Sequence, residues 1–379
     1  MISTAETLAT LISFPTVSAD GNEALMRWCA ARITASGGRI HIMAGAKPGK
    51  LNMLASFGPE TGAGIVLSGH SDVVPVAGQA WNTDPFILTA KDRRLYGRGS
   101  SDMKGFLAAA LSAAARTDKT KLARPLHLAF SYDEEIGCIG VRDLLARLAK
   151  ENFQAEGCVI GEPTEQKIAL GHKGKLSGCV RCFGQPAHSA NPALGCNAIS
   201  LAAEMVCATH ALQAELAESG AHDDAYPFPS TSVQVGIIKG GAALNIVPEF
   251  CEMQFEIRNV AGDEPRALVE RLRGRAAEIA SHHGKGRITI EITNEYPGLE
   301  TDQNDAFVRK MLQISGTQPG KIGFGTEGGL FKETLHLPVV VCGPGSIDRA
   351  HKPDEYVTQD ELDACDMFLD RVITGLRVG

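Results

Sequence analysis

Two histidines, His70 and His351, and a scatter of acids, Asp72, Asp102, Glu134, Glu135 and Glu162, are the side chains of this sequence best equipped for chemistry. Imidazole nitrogen combined with carboxylate oxygen is a borderline-hard donor set suited to zinc, cobalt or manganese, and a bridging Asp would allow two ions about 3.5 to 4 Å apart. In "SGHSD", His70 and Asp72 stand at alternate positions of an extended segment and share a face, so the carboxylate can orient the imidazole. Asp102, in "YGRGSSDMKG", arrives on a Gly-rich turn at the start of an Ala-rich helix, where an Asp also serves as an N-cap. In "LAFSYDEEIG", Asp133, Glu134 and Glu135 follow an apolar strand directly. Carboxylates gathered there without cations would raise one another's pKa and cost several kcal/mol if buried. Either the acids form a solvated loop, or one glutamate binds a metal while the other faces a bound water; Asp133 is the least explained, serving either the turn or the support of the residues that do the chemistry. No D-x-D-x-D-G loop surrounds them, which argues against an EF-hand.

The elements that must position these residues read as an alternating α/β pattern. Short apolar runs, "NMLASF", "GIVLSGH", "PLHLAFSY" and "GCVIGEP", predict buried strands, and "MKGFLAAALSAAAR" and "GVRDLLARLAK" predict helices between them. The alternation calls for a mostly parallel sheet covered on both faces. His70, Asp72, Asp102, Glu134, Glu135 and Glu162 then fall at carboxyl ends of strands, where open α/β sheets place their sites. Near Gly174 the texture changes to long alternating strands and two long helices. We expect an inserted α+β domain over 175–293, with 1–174 and 294–379 forming the catalytic domain, as a chain beyond roughly 250 to 300 residues tends to divide.

The chain has 37 basic and 44 acidic residues among its 379, a formal charge of -7. That balance gives no basic footprint for nucleic acid or an anionic membrane, so a small molecule is the expected partner. The first residues show no basic n-region, and no run of 18 apolar residues occurs, which leads us to expect a cytoplasmic protein without a membrane span. Ten cysteines are dispersed with no dense framework, so most should be reduced and buried. Cys179 and Cys182 form a CxxC, but on a strand they point to opposite faces and make a poor redox or zinc pair.

The blocks "SGHSDVVP", "YGRGSSDMKG", "DEEIG", "GEPT" and "AHKPDEYV" occur in the order and at distances similar to those of the M20 metallopeptidases. This is a family of co-catalytic zinc deacylases, exopeptidases and desuccinylases, which the chain resembles over essentially its whole length. The resemblance implies a zinc-exopeptidase-like catalytic domain and an inserted ferredoxin-like lid through which two copies form a homodimer. It implies two divalent ions, with zinc expected and cobalt or manganese as alternatives. Asp102 would bridge them, one held also by His70 and Glu162, the other by Glu135 and His351. Asp72 would orient His70, and Glu134 would serve as general base and then acid. "GQPAHSANP" resembles the segment whose histidine, here His188, reaches the active site of the partner subunit as an oxyanion donor. Asn245 in "GGAALNIVPE" and Arg258 in "FEIRNV" match lid positions that engage substrate. A guanidinium suits a substrate carboxylate, although Arg258 in a surface ion pair is the plainer alternative.

Within the family, "FGTEGGLF" and "VVVCGPGSIDRAHKPDEYV" are most similar to the members that deacetylate N2-acetyl-L-ornithine in arginine biosynthesis. Succinyl-diaminopimelate desuccinylases usually carry Ser-Asp where this chain has Thr326 and Glu327. Glu327 could face the cationic end of an ornithine-like substrate or stabilise a helix start. Release of acetate from a small N-acetylated amino acid is therefore the expected reaction. Other M20 activities, acting on acetylcitrulline, succinyl-diaminopimelate or dipeptides, remain alternatives. A non-catalytic binding protein of the same fold is disfavoured, because none of the expected ligands nor the base is missing.

Overall fold

The apolar run Gly64–His70 lies within a nine-stranded sheet, and every one of its residues is buried. Leu126–Ser131 and Ala155–Ile160 flank it in parallel, and Val339–Val341 adds a fourth parallel strand beyond Ala155–Ile160. On the other side, Leu51–Phe57 pairs antiparallel with Leu126–Ser131, and Arg39–Ala44 closes that edge, also antiparallel. The fold is thus α/β, with a parallel centre and antiparallel margins. The central strands read as continuous apolar runs because they are buried on both faces, whereas Arg39–Ala44 has one buried residue and carries no such signature.

The Ala-rich helix Lys104–Arg116 packs on Gly64–His70 and is buried all round from Lys104 to Ala114, as expected of a helix without a polar face. The helices Thr4–Ile12 and Gln359–Thr374 lie against it. Both begin with capping boxes, Ser3 with Glu6 and Thr358 with Glu361. The amphipathic helix Val141–Lys150 packs instead on Leu51–Phe57 and Leu126–Ser131. Two further helices, Ala306–Ser315 and Gly328–Leu335, lie outside the runs that the sequence pattern marks.

The computed structural model describes residues 3–377. The chain divides into two units: the first runs to Gly171 and resumes over Leu299–Ile322 and from Thr326, and the second comprises His172–Gly298 with Gly323–Gly325. Strands and helices of the second unit follow the order β-α-β-β-α-β, with helices Ala198–Ser219 and Pro265–His283. Its antiparallel sheet has the spatial order Ser232–Gly240, Phe250–Asn259, Gly174–Phe183, Arg287–Tyr296, a ferredoxin-like arrangement. Cys182 joins the apolar core of this unit and Cys179 does not, as the alternation of a strand requires. All ten cysteines are free thiols, and only Cys207 is exposed. No helix among the described residues is long and apolar enough to cross a membrane.

Candidate metal centre

His70 closes Gly64–His70, and Glu162 follows Ala155–Ile160, so two parallel neighbours deliver a donor each at the same end of the sheet. The turn into Glu162 requires glycine: a Cβ on Gly161 would lie 1.9 Å from Cγ of Phe106 in the buried helix. Asp102 precedes that helix but does not cap it, since the N-cap is Met103 and makes no side-chain bond. The carboxylate turns to the histidines instead. Asp102 Oδ1 is 3.1 Å from His70 Nε2, which stands 3.7 Å from Glu162 Oε1. Asp102 Oδ2 is 3.2 Å from His351 Nε2, which stands 3.0 Å from Glu135 Oε2. Donor atoms of His70, Asp102 and Glu162 lie within 4.8 Å of one another, and those of Asp102, Glu135 and His351 do likewise. Asp102 therefore offers one oxygen to each group.

Asp72 serves His70 chiefly through its main chain. His70 Nδ1 donates to the Asp72 carbonyl at 2.9 Å and lies 3.5 Å from Asp72 Oδ1. That bond leaves Nε2 as the nitrogen facing the acids. The Asp72 carboxylate accepts the N–H groups of Glu134 and Glu135, at 3.1 and 3.4 Å, and the Ser18 hydroxyl at 2.7 Å. The glutamates follow Ser131 at the end of Leu126–Ser131, where Asp133 takes a left-handed φ of 54° and the chain turns. Glu135 goes to His351, while Glu134 Oε1 accepts from the Cys138 thiol at 3.3 Å and contacts neither histidine.

The electrostatics describe a cluster short of positive charge. Burial opposes ionisation of Asp102, yet its bonds to His351 and His70 hold its pKa below the usual carboxylate range. Burial raises the other acids, Glu134 to about 8 with help from Glu135 and Glu327, and Glu135 to about 7 with help from Asp102. Glu162 is raised by burial and by Asp102. His351 rises to about 10 through its bonds to Asp102 and Glu135. Buried Glu135 Oε1 has no hydrogen-bond partner among the described residues. An orphaned carboxylate oxygen within a set of two imidazoles and three carboxylates fits divalent cations of the zinc, cobalt or manganese kind, whose charge inverts this pKa pattern.

Sequence reasoning passed over the residues that hold Asp102. Glu355 Oε1 accepts the N–H groups of Ser101 and Asp102 at 2.9 and 3.0 Å, and its Oε2 pairs with Arg98 at 2.6 Å. Both partners are 1% exposed. Arg98 also bonds Gln79 Oε1 at 2.5 Å and stacks over Trp81, and Gln79 donates to the His351 carbonyl at 2.9 Å. Arg98 and Glu355 lie inside "YGRGSSDMKG" and "AHKPDEYV", but nothing local in either segment marks them as a buried pair.

Glu327 belongs to the first unit, is 1% exposed and forms no capping bond at the start of Gly328–Leu335. Its Oε1 accepts from Ser131 Oγ at 2.6 Å, and its Oε2 has no partner among the described residues. His188, Asn245 and Arg258 belong to the second unit. His188 and Asn245 are exposed on adjoining loops, joined where Ser189 N–H donates to the Asn245 carbonyl at 3.1 Å. Arg258 is engaged by Glu256 at 2.7 Å and by the Tyr296 hydroxyl at 3.0 Å, so the ion pair expected as its plainer role is present.

The model of peptidase family M20/M25/M40 matches residues 66–375. Acetylornithine deacetylase of Vibrio atlanticus is 36% identical over 318 residues, covering 84% of this chain and 82% of that protein. The enzyme of the same description from Yersinia pseudotuberculosis is 35% identical over 359 residues, covering 92% and 90%. Among solved structures, an M20 family metallo-carboxypeptidase of Sulfolobus solfataricus superposes with a TM-score of 0.80 at 20% identity, covering 98% of this chain and 99% of its own. With paired donor groups at the ends of its central strands and a family match across most of its length, this chain belongs to peptidase family M20/M25/M40 and is a metal-dependent amidohydrolase.

Proposed function

We propose that the chain hydrolyses the acyl amide of N2-acetyl-L-ornithine to L-ornithine and acetate, in the cytoplasm, as a step of arginine biosynthesis. The observation that carries this reading is identity of 34 to 36% over most of the chain to several proteins described as acetylornithine deacetylases. His70, Asp102 and Glu162 would hold one divalent ion and Asp102, Glu135 and His351 a second, zinc being the best match to the donors. Bound there, such ions acidify a water and polarise the acyl carbonyl.

The chain's own residues supply the rest. Glu134 stays off both donor groups, free to take the proton of the attacking water and pass it to the departing α-amine. His70 is held in one tautomer by the Asp72 carbonyl, and the Asp72 carboxylate holds the backbone of the glutamate turn. His188 would donate to the developing oxyanion across a homodimer formed through the second unit, with Asn245 and Arg258 engaging the substrate. Arg258 is already oriented by Glu256 and Tyr296. Glu327, whose Oε2 has no partner among the described residues, would answer the ornithine ammonium. The test is a panel of acetyl, succinyl and formyl amino acids with quantified metal. Acetylornithine should be preferred, and Glu327→Gln should weaken that preference over neutral acetylamino acids. Faster cleavage of acetylcitrulline, a succinyl substrate or a dipeptide would reassign the substrate within the family.

A further inference from the structure

Asp133 is the acid of the "DEE" turn that serves neither as a metal donor nor as the base. Its carboxylate is buried, and its backbone is left-handed, a conformation that costs an Asp less than most residues bearing a Cβ. Its partner is Lys50. Lys50 Nζ, on a side chain 4% exposed, donates to Asp133 Oδ1 at 2.5 Å and to the Ser18 carbonyl at 2.8 Å. The Ser18 hydroxyl donates to Asp72 Oδ2, and Asp72 accepts the N–H groups of Glu134 and Glu135. The bonds close a ring: Lys50 to Asp133, along the chain to Glu134, across to Asp72, and back through Ser18 to Lys50.

The anchor of Lys50 is itself stiff. Asn22 bonds both the N–H and the carbonyl of the next residue, Leu51, at 2.8 and 2.9 Å. On the preceding side, Gly49 packs so closely on Gly21 that a Cβ on Gly21 would lie 2.7 Å from the Gly49 carbonyl oxygen. A buried lysine is retained where it is paired, and this one grips the acid immediately before the tandem glutamates.

We propose that Lys50 and Asp133 are positioning residues that fix where Glu134 and Glu135 point, Lys50 gripping the turn from one side while Asp72 grips it from the other. The inference rests on the reading of Glu135 as a metal ligand and Glu134 as the base. The test compares wild type with Lys50→Met, Asp133→Asn and the double variant. It measures kcat and KM, zinc content, circular dichroism and the visible spectrum of the cobalt-loaded protein. Each single change should lower kcat about 10- to 100-fold, as loss of a group supporting a ligand does. KM should stay within about two-fold, because the loss falls on a step after binding. Metal should still bind at saturation, the cobalt bands should shift as Glu135 moves, and the double variant should fall no further than the worse single one.

Undiminished kcat with an unchanged cobalt spectrum in either folded variant would overturn the proposal, as would activity that merely tracks the folded fraction. If Lys50→Met does not fold, Asp133→Asn decides, since it keeps the shape and an acceptor oxygen. Should the wild type cleave no acylamino acid, the functional reading falls, and the cobalt spectra still settle the clamp.

Discussion

Removing Glu355 should loosen the metal centre without touching a single metal donor. Its carboxylate satisfies two buried N–H groups, of Ser101 and Asp102, and neutralises the buried Arg98 guanidinium. In Glu355→Ala, each orphaned N–H costs about 1 to 3 kcal/mol. The unpaired guanidinium would add about 3 to 5 kcal/mol, but Arg98 keeps Gln79 Oε1 at 2.5 Å and the Lys352 carbonyl at 3.3 Å, which holds the charge penalty to the lower end. Together these terms come to roughly 5 to 9 kcal/mol. Glu355→Gln retains an acceptor for both N–H groups and loses the charge pairing and hydrogen bond to Arg98, so about 3 kcal/mol applies. Since Asp102 is shared by both donor groups, its released backbone should weaken metal binding about 10- to 100-fold in the Ala variant and less in the Gln variant. Chelator competition for zinc, alongside melting of the metal-free proteins, reads both effects. An Ala variant that binds zinc as tightly as wild type, or a Gln variant as impaired as Ala, would refute the reasoning.

Glu134→Gln should lower kcat by about 10²- to 10⁴-fold while zinc content stays at the wild-type level, and turnover within a few-fold of wild type would exclude the base role. Gly161→Ala should destabilise the first unit by about 1 to 3 kcal/mol and displace Glu162, because the new methyl meets Phe106; an unchanged melting temperature and zinc affinity would contradict this. His127 is 7% exposed, bonds Ser56 Oγ through Nδ1 at 2.8 Å, and is pushed down by burial to about 4. The unfolded chain therefore binds the extra proton between about pH 6.5 and 4, so this contribution is complete above pH 6.5 and about 3 kcal/mol of it is lost by pH 4. Denaturant unfolding should show a shallower acid decline in His127→Gln, and parallel declines would count against it.

Legibility followed burial. Continuous apolar runs marked Gly64–His70, Leu126–Ser131 and Ala155–Ile160 because their surroundings are uniformly dry, and the acids at their ends stood out by contrast. Arg39–Ala44 and Ala169–His172 left weaker traces, the one with a single buried residue and the other only four residues long. All seven residues of the first unit named as metal ligands, orienting acid or base lie about one end of the central strands. Arg98, Glu355 and Lys50 went unremarked because a single charged residue in a sequence reads as surface by default. Only the long-range pairing, Arg98 with Glu355 and Lys50 with Asp133, reveals that each is buried. Such partners are far apart in the chain, and no local pattern links them.

The same distinction explains how three adjacent acids come to differ. Asp133, Glu134 and Glu135 have the same functional group, and their sequence neighbourhood is shared. What separates them is the far end of each contact: Lys50 for Asp133, Cys138 for Glu134 and His351 for Glu135. A cation neutralises the first, a weak neutral donor leaves the second available to carry a proton, and an imidazole already bonded to Asp102 draws the third into the donor set. Exchanging Glu134 and Glu135 is therefore impossible by side-chain rotation alone. Their N–H groups are both tied to Asp72, so the direction of each side chain is decided by the backbone before any metal or substrate arrives.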